Sequence, residues 1–518
     1  MAERESPLRK SLKHESGRLH VSGKARYVDD FPAPAELLYA KPIMATEAHA
    51  KILSIDLERA RGLAGVHAIL LAEDIPGLND ASPFAHDEPL LADGMVHCMG
   101  QAIGLVVAET EDICFDAMAR IEVEYETLDP ILTIRDAIEV DSILGEVQVI
   151  ERGDVDKLLE RAAIRLSGEV ESGGQDHFYL ETHAAQALPD DRGGFHVQSS
   201  TQHPSEVQAK VAELLNLGRH EVVVSCPRMG GAFGGKETQA ARVAEYAALA
   251  AHHTGRPVRV RLNRDEDMIH TGKRHPWYSR YDVGFDHRGV LLALDVQTYA
   301  DGGWATDLSG AILQRCLFHL DHAYFVPAAR FVGKVARTNT VSNTAFRGFG
   351  GPQGALVIES ILNDVAEALE LDPAEVRRRN FYGPSPRHVT PYGQVVTPDD
   401  NRLERIYDEL MLSSSYSKRR LAIQAFNANS EWVKRGIGFQ PVKFGISFTT
   451  SMLNQAGALV LVYADGTVQL NHGGTEMGQG LHTKMLAICA HELGVELEAI
   501  RVMDTATDKV PNTSATAA

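Results

Sequence analysis

Alternating apolar and polar residues predict strands at several places in the chain. Ile121-Glu-Val-Glu-Tyr125 alternates strictly, which is typical of a strand with one buried face. Ile103-Gly-Leu-Val-Val-Ala108 is short and apolar throughout, which indicates a strand buried on both faces. Val290-Leu-Leu-Ala-Leu294 follows the turn residues His287-Arg-Gly289 and predicts the second strand of a hairpin. The turn Asp465-Gly466 predicts another hairpin.

Apolar residues three and four positions apart predict helices between the strands. In one of them Val207, Val211 and Leu214 share a face. Pro204 occupies a favourable starting position for this helix, and Gly218 is its expected end. The same reasoning predicts helices at Thr238–His253, Ala355–Leu369, Leu403–Met411 and Thr483–Leu493. Together with the strands, they predict an α+β (mixed α/β) fold.

Changes in composition divide the chain into regions. We expect a polar tail at residues 1–15, an α+β unit at 16–140 and a large mixed region at 141–410. A third region, 411–518, follows a connection at 381–401 that is rich in proline and polar residues. The chain stops at Ala518 on small, loop-like residues, and we expect a sequence cut short within the third region.

Composition and charge argue against several classes of protein. With 44% hydrophobic and 23% charged residues, the 518-residue chain has the make-up of an ordinary globular protein. Acidic residues outnumber basic ones by 70 to 51, and the net charge of −19 argues against nucleic acid as a partner. No apolar run reaches the about 18 residues that span a membrane, and the charged N-terminus is unlike a signal peptide. The five cysteines are too far apart for a complete iron–sulfur or zinc motif, which favours a cytoplasmic protein with reduced thiols.

Three glycine-rich loops, each followed by a predicted helix, are the strongest candidates for a binding site. Glycine lets backbone N–H groups approach a ligand closely, and a helix start adds a positive dipole end, so such loops favour anions. Three of them around one place would suit an extended, multiply charged ligand, and three unrelated turns are the alternative. The loops are Arg228-Met-Gly-Gly-Ala-Phe-Gly-Gly-Lys-Glu237, Arg347-Gly-Phe-Gly-Gly351 and Gly473-Gly-Thr-Glu-Met-Gly-Gln-Gly480.

The first loop is close to two phosphate-binding motifs without matching either. Gly230 to Lys236 follows the P-loop spacing, but Glu237 stands where the magnesium ion needs a Ser or Thr hydroxyl group. The dinucleotide fingerprint fails because Ala232 and Phe233 occupy positions that the motif reserves for glycine. The pattern argues against nucleotide hydrolysis and dinucleotide binding, while a plain strand–helix turn stays open.

Other catalytic motifs are absent from the sequence. It holds no H-E-x-x-H and no G-x-S-x-G, which argues against a zinc protease and against a nucleophile elbow. His319-Leu-Asp-His322 is an isolated pair of a kind that is more often structural than metal-binding. The candidates for acid–base or cation chemistry, each with a structural role as the alternative, are Glu237, Arg315, Arg347 and Gln479.

Taken in order, these motifs resemble the molybdenum hydroxylases of the xanthine oxidase and aldehyde oxidase family, and within it the molybdopterin-binding subunit of xanthine dehydrogenase. The resemblance extends from His20-Val-Ser-Gly-Lys-Ala-Arg-Tyr-Val-Asp-Asp30 to the last residue, and Ala232 departs from it where many members carry glycine. Besides the loops, the matching segments are Gly174-Gln-Asp-His-Phe-Tyr-Leu-Glu181, Leu313-Gln-Arg-Cys-Leu-Phe-His319, Asn343-Thr-Ala-Phe-Arg-Gly-Phe-Gly-Gly-Pro352, Lys443-Phe-Gly-Ile-Ser-Phe-Thr449 and Thr516-Ala-Ala518.

The resemblance implies a fold and a cofactor. An N-terminal hammerhead-type domain (16–140) would be followed by a first (141–410) and a second (411–518) cofactor-binding domain. A molybdenum ion would be held by the dithiolene of molybdopterin and not by protein side chains. The residues implied to lie around the molybdenum are Gln175, Phe233, Arg347 and Ala518. Those implied to hold the pterin and its phosphate are Gly231, Ala232, Met477, Gly478, Gln479 and, beside Ala518, Ala517.

The implied reaction is the hydroxylation of a purine, from hypoxanthine to xanthine to urate, with oxygen derived from water. Phe349 and Phe448 would sandwich the flat substrate. Its polar edge would receive hydrogen bonds from Glu237, Arg315 and Thr449. Glu237 and Arg315 are the implied catalytic residues, because Arg315 would stabilise the negative charge that develops on the purine and Glu237 would orient its ring.

The resemblance also implies partners, because the electrons must leave and the cysteines of this chain cannot bind clusters. Two [2Fe–2S] centres and FAD would belong to iron–sulfur/FAD subunits of xanthine dehydrogenase, and a higher oligomer of heterodimers is expected. The family's general-base glutamate would lie beyond Ala518. Two alternatives stay open: an aldehyde oxidase, whose pocket usually lacks the pair Glu237 and Arg315, and an inactive, truncated cofactor-binding fragment.

Overall fold

A computed structural model describes residues 6–449, 451–510 and 514–517. Within these residues the chain forms sheets of eight, five, three and three strands with helices packed between and around them. This arrangement confirms the predicted mixed α/β fold.

The N-terminal part combines six strands with four short helices. Its helices are α1 (Gly17–Val21), α2 (Glu58–Arg61), α3 (Glu111–Met118) and α4 (Ile134–Glu139). Its strands are β1 (Leu38–Met44), β2 (Ala50–Asp56), β3 (Val66–Leu70), β4 (Met95–Val96), β5 (Ala102–Ala108) and β6 (Glu122–Thr127). The predicted strands at 103–108 and 121–125 are β5, which is buried along its whole length, and β6, which alternates between half-buried and exposed residues.

The middle part contains nine strands and eight helices. Its strands are β7 (Ile143–Arg152), β8 (Ile164–Ser172), β9 (Ala184–Pro189), β10 (Phe195–Ser199), β11 (Val222–Cys226), β12 (Val258–Arg261), β13 (Trp277–Phe285), β14 (Leu291–Gly303) and β15 (Ala328–Arg337). Its helices are α5 (Val155–Arg161), α6 (Pro204–Leu215), α7 (Gln239–Thr254), α8 (Arg264–His270), α9 (Ser309–Leu317), α10 (Gly351–Ala368), α11 (Pro373–Asn380) and α12 (Leu403–Ser413). The predicted hairpin at 287–289 is the turn between β13 and β14.

The third part is smaller and lies against both others. It contains α13 (Tyr416–Asn429), β16 (Ala458–Val462), β17 (Val468–His472), α14 (Leu481–Leu493), β18 (Ile500–Val502) and β19 (Thr505–Ala506). The second predicted hairpin is β16–β17. The described part of the expected polar tail packs against this region, since the Ser6 hydroxyl lies 3.0 Å from His491 Nδ1 and the Glu15 amide donates to Thr483 at 2.9 Å.

One sheet joins all three parts, and this determines where the glycine loops lie. Its strand order is β19-β11-β10-β9-β12-β1-β5-β3, so N-terminal strands, middle strands and the last strand share one ladder. β1 pairs in parallel with β12, and Cys226 at the end of β11 pairs with Thr505 of β19. The five-stranded sheet has the order β7-β15-β14-β13-β8. Its edge strand β7 begins just after the boundary that we expected between residues 140 and 141.

Helix α7 is the central helix of the largest core. Its alanine-rich sequence has small side chains, so it packs closely against β9, β12 and α6, and nearly all of its residues are buried. It ends at Gly255, which adopts a left-handed φ of 65°. The expected end of α6 at Gly218 is wrong, because Asn216 takes the left-handed position at φ 54° after Leu215. Among the helices of the described residues, none combines the length and apolar character needed to cross a lipid bilayer.

Candidate functional site

The first glycine loop connects β11 to α7 and needs glycine at two positions. Gly231 and Gly234 have φ values of +93° and +100°, which side-chain-bearing residues rarely adopt. A Cβ atom at Gly234 would lie 2.9 Å from the carbonyl carbon and oxygen of Ala345. The glycine therefore allows the first loop to touch the backbone that leads into the second loop.

Three consecutive backbone N–H groups of this loop remain available to a ligand. The amides of Gly231, Ala232 and Phe233 donate to no acceptor among the described residues, whereas Gly230 and Gly234 on either side are satisfied by side chains. Gly231 is half-buried, Ala232 is fully buried and Phe233 is exposed, so the loop reaches the surface of the described residues at Phe233. Adjacent free amides of this kind form an anion-binding concavity.

The three glycine loops meet at one place. The Arg347 amide of the second loop donates to the Phe233 carbonyl of the first at 2.9 Å. The Met229 amide of the first loop donates to the Glu476 carbonyl of the third at 2.8 Å. The Met477 side chain also packs against the cluster that Met229 and Ala232 form with Cys226. The alternative of three unrelated turns is therefore wrong.

The third loop uses three of its amides in hydrogen bonds to its own side chains. Glu476 accepts hydrogen bonds from the amides of Gly478 at 2.9 Å, Gly480 at 3.0 Å and His482 at 3.0 Å. These bonds favour the carboxylate form and hold the pKa of Glu476 below its ordinary value despite burial. The Met477 amide donates to the Gln479 side chain at 2.7 Å. Binding a ligand through the backbone amides of Met477 or Gly478 would require these bonds to be exchanged, and the roles predicted for Met477, Gly478 and Gln479 in holding the pterin and its phosphate stay predictions.

Gln202 links the first loop to Thr516, and no sequence motif predicted this link. Its side-chain oxygen accepts from the amides of Gly234 at 3.0 Å and Lys236 at 3.3 Å. Its side-chain nitrogen donates to the Thr516 carbonyl at 2.7 Å. Through Thr516 the neighbouring Ala517 is brought to the first loop. Ala518, which was expected beside the molybdenum, lies outside the described residues.

Lys236 points into the protein and is not a phosphate-binding lysine. Its Nζ atom donates to the Glu181 carbonyl and to the Ser200 hydroxyl, both at 2.8 Å, and lies 4.7 Å from the centre of the Tyr179 ring. Burial lowers the pKa of Lys236, and the carboxylate of Glu181 opposes this shift. The P-loop interpretation therefore fails on geometry as well as on sequence.

The exposed residues predicted around the molybdenum come together through Arg274. The Arg274 amide donates to the Gln175 carbonyl at 2.9 Å. Its guanidinium donates to the Arg347 carbonyl at 2.8 Å and stacks 3.9 Å from the centre of the Phe346 ring. With the Arg347 amide bound to Phe233, the structure brings Gln175, Phe233 and Arg347 into one neighbourhood. Arg274 is a further residue that sequence reasoning missed.

Glu237 is a buried carboxyl group at the end of the first loop. It is 6% exposed, and no described residue donates a hydrogen bond to its carboxyl oxygens. Burial, followed by the negative charges of Glu206 and Asp307, raises the pKa of Glu237 to about 8. At neutral pH this residue is therefore a neutral acid that can donate a hydrogen bond.

Asp307 joins the elements that carry the predicted substrate residues. Its carboxylate accepts hydrogen bonds from Thr238 at 2.7 Å, from Gln239 at 2.8 Å and from Thr344 at 2.7 Å. Thr238 and Gln239 begin α7 directly after Glu237, Thr344 precedes the second glycine loop, and Asp307 itself precedes α9, which carries Arg315. The spacing of these residues in the sequence did not indicate this link.

Arg315 on α9 is buried beside aromatic rings. It is 7% exposed, and its terminal nitrogens donate to the carbonyl groups of Gly445 and Ser447, while no described residue accepts from its buried Nε. The guanidinium carbon lies 5.9 Å from the centre of the Phe349 ring and 5.7 Å from that of the Phe444 ring. Burial lowers the pKa of Arg315, although it stays charged.

Phe349 and Phe448 lie together but not as two parallel faces. Their ring centres are 6.2 Å apart and the ring planes are perpendicular, at 89°. The expected sandwich is therefore corrected to one face and one edge, an arrangement that aromatic rings favour. Phe349 has a φ of +49°, uncommon for a residue with a bulky side chain, so the second glycine loop fixes this ring in a strained conformation. The hydroxyl of Thr449, the other residue predicted here, donates to the Gln314 side chain.

Replacing Gly234 with alanine is expected to separate the first two loops. An alanine at φ +100° costs about 1–3 kcal/mol in backbone strain, and its Cβ would also collide with the Ala345 carbonyl group. We expect a larger fall in melting temperature than for Gly193→Ala, a matched change at φ +87° with open space around it. Thermal unfolding of both variants checks this, and equal losses would contradict the close contact.

Comparisons with known proteins identify the domains that contain these loops. The molybdopterin cofactor-binding domain matches residues 141–381, and a second domain of the same description matches 409–518. The a/b hammerhead domain of aldehyde oxidase and xanthine dehydrogenase matches residues 22–129. No group of three or more His, Cys, Asp or Glu residues in the described ranges is arranged to hold a metal ion directly.

Similar proteins cover nearly all of the chain. Xanthine dehydrogenase of Calliphora vicina is 44% identical over 515 residues, which make up 99% of this chain and 38% of that protein. Xanthine dehydrogenase/oxidase of Mus musculus is 44% identical over 508 residues, 98% of this chain and 38% of the relative. The chain thus spans little more than a third of the length of these relatives.

Solved structures share the fold. Aldehyde oxidoreductase from Desulfovibrio gigas superposes with a TM-score of 0.84 at 25% identity, over 97% of this chain and 57% of the other. Quinoline 2-oxidoreductase from Pseudomonas putida 86 superposes with a TM-score of 0.87 at 24% identity, over 99% of this chain and 68% of the other, which shows the fold alone. From the domains, the relatives and the converging glycine loops, the chain belongs to the xanthine dehydrogenase and aldehyde oxidase family of molybdenum hydroxylases.

Proposed function

We propose that this chain is the molybdopterin-binding part of a xanthine dehydrogenase-type oxidoreductase that hydroxylates purines, from hypoxanthine to xanthine to urate. The observation that carries the proposal is the convergence of three glycine loops around the free amides of Gly231, Ala232 and Phe233. The relatives named xanthine dehydrogenase support the choice of substrate. So does the presence of both Glu237 and Arg315, two polar groups that suit the polar edge of a purine.

The residues of the cradle fit molybdopterin. The free amides would bind its anionic groups. A Cβ at Gly231 would lie 3.1 Å from the Tyr179 and Phe233 side chains, so any residue other than glycine would be crowded at this position. Gln175, Phe233 and Arg347 would surround the metal end, and Met477, Gly478, Gln479 and Ala517 would hold the pterin end. When bound, the cofactor would supply a water-derived oxygen to the substrate and accept two electrons from it.

The remaining residues would bind and polarise the purine. Phe349 and Phe448 would offer a face and an edge to the flat ring. Glu237, neutral because of its raised pKa, would donate a hydrogen bond to a ring nitrogen. Arg315 would stabilise the negative charge that develops on the ring, a contribution of about 3–4 kcal/mol for a preorganised donor.

The electrons would leave through other polypeptides. All five cysteines are free and buried at separate places, so they could not hold iron–sulfur clusters together. We therefore place the [2Fe–2S] centres and FAD on partner subunits, in a cytoplasmic oligomer of heterodimers.

The cofactor assignment can be tested by elemental analysis. Full-length protein produced with its natural partners is expected to contain about one molybdenum per chain, together with a pterin fluorescent after oxidation. Protein that oxidises xanthine but contains zinc or iron and no molybdenum would refute the proposal.

A further inference from the structure

A short irregular segment, residues 443–449, connects the third part of the chain to the proposed substrate site. We call it the strap. It carries Phe448 and Thr449, and its Phe444 ring lies against Gly351 of the second glycine loop, where a Cβ would come within 2.8 Å of the ring. Ile446 is 88% exposed, so the strap has solvent on its outer side. Five residues of α9 and the turn after it form hydrogen bonds or ion pairs with its inner side. We call these residues the clamp: Gln314, Arg315, His319, Asp321 and His322.

Two buried histidines of the clamp hold the backbone of the strap. The Gly445 amide donates to His319 Nε2 at 3.1 Å, and the Lys443 amide donates to His322 Nε2 at 3.2 Å. The other ring nitrogen of each histidine also has a partner, since His319 Nδ1 lies 2.7 Å from the Arg315 carbonyl and His322 Nδ1 lies 3.1 Å from Glu359. Because Nε2 accepts, the proton must sit on Nδ1 in both rings.

This geometry gives the isolated H-x-x-H pair a role other than metal binding. All four ring nitrogens of His319 and His322 already take part in hydrogen bonds within the protein. Burial lowers the pKa of His319 to about 4, so at neutral pH the ring is neutral and can accept from the Gly445 amide.

An ion pair fixes the start of the strap. Lys443 Nζ lies 2.6 and 2.7 Å from the two carboxylate oxygens of Asp321 and 3.0 Å from the Tyr392 hydroxyl. Asp321 is fully buried and also accepts from the Tyr382 hydroxyl at 2.5 Å. Because the Asp321 carboxylate is buried, breaking its ion pair with Lys443 would leave an unpaired charge inside the protein. The pair therefore holds Lys443 firmly in place.

Arg315 belongs to the clamp and to the substrate site at once. Its terminal nitrogens donate to the strap carbonyls of Gly445 and Ser447, on either side of Ile446. Its main-chain carbonyl accepts from His319. The direction of the guanidinium therefore depends on the position of the strap, and the position of the strap depends on His319 and His322.

We propose that His319 and His322 are positioning residues for substrate discrimination. Neither is among the residues proposed to contact the purine. By fixing the strap at Lys443 and Gly445, they set the direction of the Arg315 guanidinium, whereas both backbone groups of Phe448 are held by the Asn454 side chain. The proposal rests on the proposed function, because it concerns how the same site distinguishes a purine from a smaller substrate.

The test uses the complete enzyme with its partners and cofactor, with rates normalised to molybdenum content. In His319→Leu, kcat/KM for xanthine is expected to fall about tenfold, the usual loss for one hydrogen bond of 1.4 kcal/mol, mostly through a lower kcat, because the charge that Arg315 stabilises develops only as the purine reacts. Oxidation of benzaldehyde, which does not need the guanidinium, should change less than threefold. His319→Gln, whose side-chain oxygen can accept from the Gly445 amide, should restore most of the loss.

A matched control separates positioning from general destabilisation. His270 is about as buried and is bonded through both ring nitrogens, to Gly100 and Tyr246, neither of which belongs to the strap or the clamp. His270→Leu should lower both activities alike or neither. Equal effects of His319→Leu on xanthine and benzaldehyde, or no recovery in His319→Gln, would overturn the proposal.

A second readout does not depend on activity. Trypsin cleaves after Lys443, and the clamp holds the backbone amides on either side of that bond, so His319→Leu should be cut there faster than wild type and faster than His270→Leu. Unchanged cleavage would contradict the clamp even if the enzyme proved to act on another substrate. Failure of the proposed function would instead show as absent molybdenum or absent xanthine oxidation in the wild-type enzyme.

Discussion

Replacing Arg315 with methionine is expected to lower kcat/KM for xanthine by about 10²- to 10³-fold, the usual loss when one charge-stabilising donor is removed from an active site. The guanidinium is buried beside Phe349 and has no carboxylate partner among the described residues, so its charge is available to the substrate. Steady-state kinetics with xanthine and with an aromatic aldehyde would measure the effect. The aldehyde, which develops no ring anion, should lose much less.

Arg315→Lys separates the charge from the contact with the strap. Lysine keeps a positive charge but cannot donate to the Gly445 and Ser447 carbonyls together, as the arginine does. If charge stabilisation dominates, the lysine variant should retain more xanthine activity than the methionine variant. If both variants lose activity equally on both substrates, Arg315 acts only through the strap, and its proposed role on the purine is wrong.

Replacing Glu237 with glutamine is expected to stabilise the protein increasingly as the pH rises. The carboxyl group has a pKa of about 8 in the folded protein against 4.5 ordinarily, so the folded state holds its proton more tightly than the unfolded state. Below pH 4.5 the protonated Glu237 makes its full contribution to the free energy of unfolding. This contribution decreases between pH 4.5 and about 8 and is absent at higher pH. The difference between these pKa values corresponds to at most about 5 kcal/mol.

Glu237→Gln lacks this titration. Its free energy of unfolding should therefore differ little from that of wild type at pH 5 and should be clearly larger than that of wild type at pH 9. Glu237→Ala serves as the control, because it removes the titration as well but leaves a cavity whose cost does not change with pH. A glutamine variant whose difference from wild type is the same at both pH values would show that Glu237 is not a buried neutral acid.

The local elements and the motifs of the site could be predicted from the sequence, and the links between them could not. The alternation of apolar and polar residues in 121–125 and the helical spacing of apolar residues after Pro204 show which side chains are buried. Both predicted elements, β6 and α6, are present in the structure. The glycine loops were visible because positive φ values require glycine at positions such as Gly231 and Gly234. The hydrogen bonds between these loops could not be predicted from the sequence, because they depend on the order of the strands in the eight-stranded sheet.

The residues that hold the site together were missed for a different reason. Gln202, Asp307 and Arg274 are ordinary polar residues whose importance comes from buried partners far away in the chain. The pair His319 and His322 had a visible spacing, but the spacing alone is compatible with a surface pair, a core pair or a metal site. Only the strap amides that point at their Nε2 atoms distinguish these possibilities.

The link between Gln202 and Thr516 has a consequence for how the protein is made. It joins residues 314 positions apart in the chain. At about 5–20 residues per second, a ribosome needs roughly 15–60 s to synthesise that interval. During this time the first glycine loop is already outside the ribosome while the segment that Gln202 binds does not yet exist. The cradle can close only after Thr516 has emerged, so a cofactor that needs the closed cradle has to be inserted into a chain that has already been synthesised at least that far.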